Sequence, residues 1–263
     1  MERIQHEYPM VILKSEREIE KIRASSQIVA RTHQHLEKYI VAGITTERLN
    51  DLADEFIRQE GAVPSSLGYR GFPKSICTSI NEVIVHGIPG ARKLKNGDVI
   101  TIDITVFKDG YHGDSAKTFM IGKVSNLAQK LVQVTKDALR IGIEQAQEGN
   151  RLGDIGHAIE TFVNKHGFAT VRDFTGHGIG RGFHEAPQVL HYGKAGTGLK
   201  IKKGMVFTIE PMINVGTHKV RILKDGWTAV TRDGSLSAQF EHTVAITTNG
   251  TEVLSQSPVE NLC

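Results

Sequence analysis

Cysteine is nearly missing from this chain: its 263 residues carry two, Cys77 and Cys263. A disulfide framework needs more, and a thiolate metal site needs pairs close in sequence, so neither organises this protein. Long apolar runs are lacking too. No stretch approaches the roughly 18 apolar residues of a membrane span. The N-terminus, MERIQHEYPMVILKSE, has no apolar core of signal-peptide length. Charge of one sign is not in excess: 32 basic against 29 acidic residues give a net +3. Nucleic-acid binding asks for a concentrated basic patch, so no direct nucleic-acid partner is expected. No membrane association is expected either, and the cytoplasm is the default compartment. Long Pro- or Ser-rich linkers are absent, so residues 1–263 are expected to form a single domain.

What is present alternates between helical and strand-like patterning. Ser15 and Glu18 have capping-box spacing, and Ile19, Ile22, Val29, Leu36 and Ile40 share a face, which predicts a helix over 15–40. A second helix is expected over 46–60, from Leu49, Leu52, Ala53, Phe56 and Ile57, with Gly61 as its stop. β-Branched segments follow near 76–86, 98–107 and 111–121, the last two joined by a hairpin signal at Asp109-Gly110. The second half repeats the plan. Helices are expected at 125–147 and 153–165, and strands near 168–175, 204–214, 219–230 and 238–248.

The repetition extends to individual residues. LKNGDVITID (94–103) aligns without gaps on IKKGMVFTIE (201–210), which sets Asp103 opposite Glu210. HGIP at 86–89 echoes HGIG at 177–180. Two echoes in the same order point to an internal duplication of about 15–121 onto 125–248.

The duplicated strands end in carboxylates, which strands rarely bury, because an unpaired buried charge costs several kcal/mol or shifts its pKa. Asp103 closes VITID and Glu210 lies in MVFTIEPM. Glu241 separates SAQF from HTVAIT, and Asp114 follows the Asp109-Gly110 turn. Four such acids need a shared countercharge, and a pair of divalent metals is the most economical one. Beside them stands GHGIGRGFHEAP (176–187), whose glycines let backbone approach closely and leave His177 and His184 free to face a cavity. One imidazole with four carboxylates is a hard, oxygen-rich set suited to Mn, Fe(II), Co or Zn rather than copper. Paired metals polarise a substrate and activate water, so hydrolysis of a carbonyl or phosphoryl bond is expected.

Five stretches carry a closer likeness: NEVIVHGIP, GDVITIDITVFKDGYHGDSAKTF, GHGIGRGFHEAPQVLHY, GMVFTIEPM and DGWTAVTRDGSLSAQFEHTVAIT. Together they resemble the type I methionine aminopeptidases of peptidase family M24, within the wider pita-bread group that includes Xaa-Pro aminopeptidases and creatinase. The resemblance implies an α+β pita-bread fold with pseudo-twofold helices packed on antiparallel sheet. It implies a monomeric cytoplasmic hydrolase that removes the initiator methionine from nascent chains, near the ribosome, when the second residue is small. Position by position, Asp103 matches a bidentate ligand of one metal, Asp114 and Glu241 the bridging carboxylates, and His177 with Glu210 the remainder. Glu210 is also the candidate general base. His86 and His184 match residues beside the substrate amide. The duplication alone would make His86 a ligand like His177, and here the resemblance overrides it. Tyr69, Phe72, Cys77, Phe183 and Trp227 match the apolar methionine pocket.

The chain also departs from the family pattern. It reads YRGFP where many members read YHGYP, so Arg70 replaces a pocket-rim histidine and Phe72 a tyrosine, and Ser66 stands where cysteine is frequent. These changes bear on substrate preference rather than on the metal ligands. Two rivals remain at this stage. A Xaa-Pro aminopeptidase or dipeptidase usually carries a large domain ahead of the catalytic one, which is not expected here. A non-catalytic pita-bread protein that binds peptides would typically have lost ligands, and all five are present.

Overall fold

The computed structural model describes residues 10–257. Its helices begin where side chains can satisfy the first free amides. At α1 (Glu16–Glu37) the Ser15 hydroxyl accepts from the Glu18 amide while the Glu18 carboxylate accepts from the Ser15 amide. Thr45 caps α2 (Thr46–Gln59) and Ser125 caps α3 (Asn126–Gln145) in the same way. At α4 (Leu152–Lys165) the Asp154 carboxylate takes the Arg151 amide at 2.7 Å.

Two larger sheets sit under these helices. In the first, β4 (Val99–Lys108) pairs along its length with β5 (Tyr111–Met120), while β1 (Val63–Pro64) and β2 (Cys77–Ile80) share its other edge. In the second, the order is β15 (Gly250–Val253), β14 (His242–Thr247), β9 (Val206–Ile209), β7 (Gly176–Gly178) and β8 (Glu185–Val189). Two small sheets complete the fold. One joins β6 (Ala169–Thr170), β10 (Met212–Asn214) and β13 (Ser237–Gln239); the other joins β3 (Val83–Val85), β11 (Val220–Ile222) and β12 (Ala229–Thr231). All the pairings are antiparallel.

Each half has its own core. Leu36, Leu49, Ile57, Ile76, Ile100, Ile102 and Ile104 pack under α1 and α2, and Leu131, Ile155, Ile159, Phe207, Ile209 and Val244 pack under α3 and α4. Polar bonds stitch the halves where β5 meets β13 and β14. The Ser115 hydroxyl donates to the Glu241 carbonyl at 2.7 Å, and the Thr118 hydroxyl to that of Gln239 at 2.7 Å. The Asp114 amide donates to the Thr243 hydroxyl at 3.1 Å. Asp114 and Glu241 therefore stand on the seam itself.

Several expected strands come out interrupted. The 204–214 run is β9 and β10, separated at Glu210-Pro211, and the 238–248 run is β13 and β14, separated at Phe240-Glu241. A proline has no amide for the ladder, so Pro211 cannot continue the pairing. The 219–230 run folds back at Asp225, whose carboxylate accepts the Trp227 and Thr228 amides, and the 168–175 run shrinks to β6.

The segment before α1 is anchored to the second half. The Lys14 amide donates to the Gly204 carbonyl at 2.7 Å, and its ammonium pairs with Glu185 beside His184, both side chains almost wholly buried. Removing one member of such a pair strands a buried charge. Lys14→Ala is expected to lower unfolding stability by roughly 3 kcal/mol in denaturant titration. The double variant Lys14→Met/Glu185→Leu should recover most of that loss. Equal instability of single and double variants would show that the pair is not what Lys14 contributes.

Candidate metal centre

Backbone register creates the site. Ile209 lies opposite His242 on one side of the shared strand break, and Met212 opposite Gln239 on the other. The register thus runs through the break and sets Glu210 across from Glu241. Like charges facing each other across a ladder repel. Asp103 comes from the middle of β4, which is continuous there, and Asp114 from β5. All four carboxylates line one cavity of about 270 Å³.

His177 approaches from β7, drawn in by close backbone packing. A Cβ on Gly178 would lie 2.1 Å from the Ala186 carbonyl oxygen, and one on Gly87 the same distance from the Thr78 oxygen. Only glycine fits at either place, so the two HG motifs are pressed against their neighbouring strands alike. Their histidines are used differently. The Nδ1 of His177 sits 3.0 Å from the Gly178 carbonyl, which makes Nδ1 the protonated nitrogen and leaves a lone pair on Nε2. That Nε2 faces Asp114 at 3.7 Å and Glu210 at 3.8 Å. His86 instead packs edge-on to Phe174 and Trp227, at a left-handed φ of 58°.

Asp114, His177 and Glu241 each offer a ligand atom within 4.8 Å of the others. Asp103 and Glu210 lie outside that tightest group but line the same cavity. No Lys or Arg among the described residues lies within ion-pair distance of any of the four acids. Burial pushes the Asp103 carboxyl up to about 7 and Glu210 up to about 8. Asp114 and Glu241 are raised well above the usual range by burial and by the neighbouring acids. Burial takes His177 down to about 4, so it stays neutral. A neutral imidazole lone pair and four carboxylates are all acceptors with no donor between them. This arrangement fits a divalent cation bound by hard oxygen and one nitrogen.

A second layer orients the ligands. The Thr208 hydroxyl donates to Glu210 at 2.7 Å and accepts the His177 amide at 3.0 Å. The Thr105 hydroxyl donates to Asp114 at 2.8 Å, and the buried His191 ring accepts the Glu210 amide at 3.1 Å. Sequence reading singled out neither these residues nor the lining residues Val85, Asp173, Phe174, Thr175 and Gln239. Only the T-I-E pattern of the repeat hinted at Thr208.

The remaining candidates, Tyr69, Phe72, Cys77, His86, Phe183, His184 and Trp227, also line the cavity. Phe72 meets Trp227 edge-on at 5.2 Å, and Tyr69 packs on Phe183 at 4.7 Å. The Tyr69 hydroxyl lies 3.0 Å from His184 Nδ1, at the exposed rim. Cys77 is buried as a free thiol beside Asp103; Cys263 lies outside the described residues.

Residues 20–248 match the profile of metallopeptidase family M24. The chain is 54% identical to methionine aminopeptidase A of Synechocystis sp. over 93% of its own length and 97% of that protein's. The crystal structure of methionine aminopeptidase from Rickettsia prowazekii superposes with a TM-score of 0.93 at 48% identity, covering 94% of this chain and 100% of that one. An X-Pro aminopeptidase from Thermotoga maritima shares the fold at a TM-score of 0.74 and 22% identity, and this chain spans 64% of it. The chain therefore belongs to the methionine aminopeptidase branch of metallopeptidase family M24, with the pita-bread fold, and is a metalloaminopeptidase. Among the described residues no helix is long and apolar enough to cross a membrane.

The raised carboxyls have a consequence for stability. In metal-free protein Asp103 and Glu210 keep protons, up to pH of about 7 and 8, that the unfolded chain has already released near 4. Folding stability must then fall as pH rises through that window. The buried histidines work the other way, but only below their ordinary value of 6.5. Between pH about 6.5 and 8.5 the Tm of chelator-stripped protein should drop by several degrees, and saturating Mn²⁺ should abolish the drop. A Tm of stripped protein that is flat or rising over this range would contradict the assignment of buried, uncompensated acids.

Proposed function

We propose that the chain removes the initiator methionine from nascent polypeptides whose second residue is small. The observation that carries this is the gathering of four uncompensated carboxylates with a neutral His177 on the floor of a cavity whose walls are aromatic. In this reading Asp103, Asp114, His177, Glu210 and Glu241 would hold two divalent ions. The donor chemistry suits Mn, Fe(II), Co or Zn. When bound, the ions supply Lewis-acid polarisation of the scissile carbonyl and lower the pKa of the attacking water.

This chain's own residues do the rest. Glu210, steadied by Thr208, takes the proton from the attacking water. His184, held by Tyr69, donates to the oxyanion that forms, and His86 holds the scissile nitrogen. The methionine side chain fills the recess of Tyr69, Phe72, Cys77, Phe183 and Trp227, where apolar burial and sulfur–aromatic contact favour an unbranched thioether. The free amine is drawn to the acidic floor near Asp103. A bulky second residue is refused sterically. Residues 15–121 and 125–248 act as duplicated halves of a single catalytic domain, since each supplies ligands to the same cavity. Work on nascent chains implies action near the ribosome exit in the cytoplasm, and the family resemblance implies a monomer.

Cleavage of Met-Ala-Ser should exceed that of Ala-Pro-Ala by orders of magnitude, and Met-Leu-Ser should resist. Preference for Ala-Pro-Ala would move the chain to the Xaa-Pro class. Dialysis against EDTA should abolish turnover and Mn²⁺, Fe²⁺ or Co²⁺ restore it; full activity in protein shown by metal analysis to be metal-free would refute the metal role. Glu210→Gln should lower kcat by about 10²- to 10⁴-fold. A variant with wild-type kcat would remove Glu210 as the base.

A further inference from the structure

The cavity has a charged floor and a differently charged rim. Asp114 and Glu241 at the floor are each 3% exposed. The substrate's ammonium is attracted there, so the peptide must leave outward, across the exposed lining residues Arg70, Asp173 and His184. Among the described residues that line the cavity, Arg70 is the one Lys or Arg. Its guanidinium lies over the Tyr69 ring at 5.4 Å, and Tyr69 in turn holds His184. Arg70 is close enough to His184 for its charge to act on that ring. Its backbone is turned to a left-handed φ of 48° in the middle of a short turn, Tyr69–Gly71. No acid among the described residues is within ion-pair distance of it. The cation is therefore presented to solvent beside the group that faces the scissile amide.

We infer that Arg70 is a specificity-determining residue: it favours substrates with an acidic side chain at the third position or just beyond. This rests on the reading of the site as a methionine aminopeptidase. Arginine suits the task, since its planar fork matches a carboxylate and its charge persists at any working pH. The pair forms at an exposed rim, so its strength is that of a surface ion pair and its effect modest. Asp173, an exposed acid that precedes Phe174 in the chain, also lines the cavity. If Asp173 governed the mouth instead, basic peptides would be preferred.

The test is kcat/KM for Met-Ala-Glu-Glu, Met-Ala-Gln-Gln and Met-Ala-Lys-Lys, all C-terminally amidated, on the Mn²⁺-loaded enzyme. The acidic peptide should be favoured about three- to fivefold over the neutral one, mostly through KM. That preference should shrink between about 50 and 500 mM NaCl. Arg70→Gln should erase it and Arg70→Glu invert it, judged against each variant's own rate on the neutral peptide. A free-acid Met-Ala compared with its amide separates recognition of side-chain carboxylates from that of a chain terminus. A terminal-only preference overturns the inference, as do equal rates for the three peptides, a preference for lysine, or an acidic preference that survives Arg70→Gln. Failure to cleave any of the three would instead strike the proposed function.

Discussion

The constraint on which this structure depends is that Glu210 and Glu241 oppose each other across a broken ladder while Asp103 and Asp114 close in from the other half. Four carboxylates crowded into one cavity without a cation oppose folding, and the surrounding scaffold must outweigh them. Two separate aliphatic cores, one under α1 and α2 and one under α3 and α4, supply that rigidity. The hydroxyls of Thr105 and Thr208 then fix two of the acids in place. No Lys or Arg among the described residues pairs with them, so their charge is left to be balanced by protons or by a divalent ion.

The duplication expected from the sequence accounts for both the likeness of the two halves of the site and its departure from symmetry. Asp103 and Glu210 end matching stretches, and the glycines of HGIP and HGIG are pressed against carbonyl oxygens at the same distance. Yet β4 runs on through Asp103, whereas β9 stops at Glu210 because Pro211 follows. The same divergence separates the histidines. His177 anchors Nδ1 on a carbonyl and aims Nε2 at the acids. His86, on a left-handed backbone, turns its ring to Phe174 and Trp227. One copy of the motif presents a lone pair to the acids, and the other sits in the aromatic wall.

The helices were readable from sequence because their determinants are local: a capping residue, a 3.6-residue period and a stop. Each expected helix lies within three residues of its observed bounds. The strand breaks were less readable. Pro211 marks the first break, but nothing in QFEHTV marks the second, and only pairing with a partner strand shows that both strands leave one sheet for another at the acids. The short strands β8 and β15 carry little alternation of their own and form because a neighbour offers an edge. For the same reason the acids and histidines could be picked out by residue type, while Thr208, His191 and Asp173 could not. Their relevance is a matter of which side chain they touch, and that is set by tertiary contact.

Charge balance bears on how many ions the proposed centre takes. Four ionised carboxylates match two divalent cations. One divalent ion would leave either two uncompensated buried charges or two acids still protonated. Burial holds Asp103 at about 7, and burial with the neighbouring Asp103 charge, against the Thr208 hydrogen bond, holds Glu210 at about 8, so a proton competes at each. Asp114 and Glu241 feel the other acids more strongly and so gain most from a cation shared between them. A first ion held among Asp114, His177 and Glu241 would relieve the greatest repulsion, and it would lower the cost of ionising Asp103 and Glu210 for a second. In the proposed two-ion centre the order of filling would be set by electrostatics, with protons released as it fills.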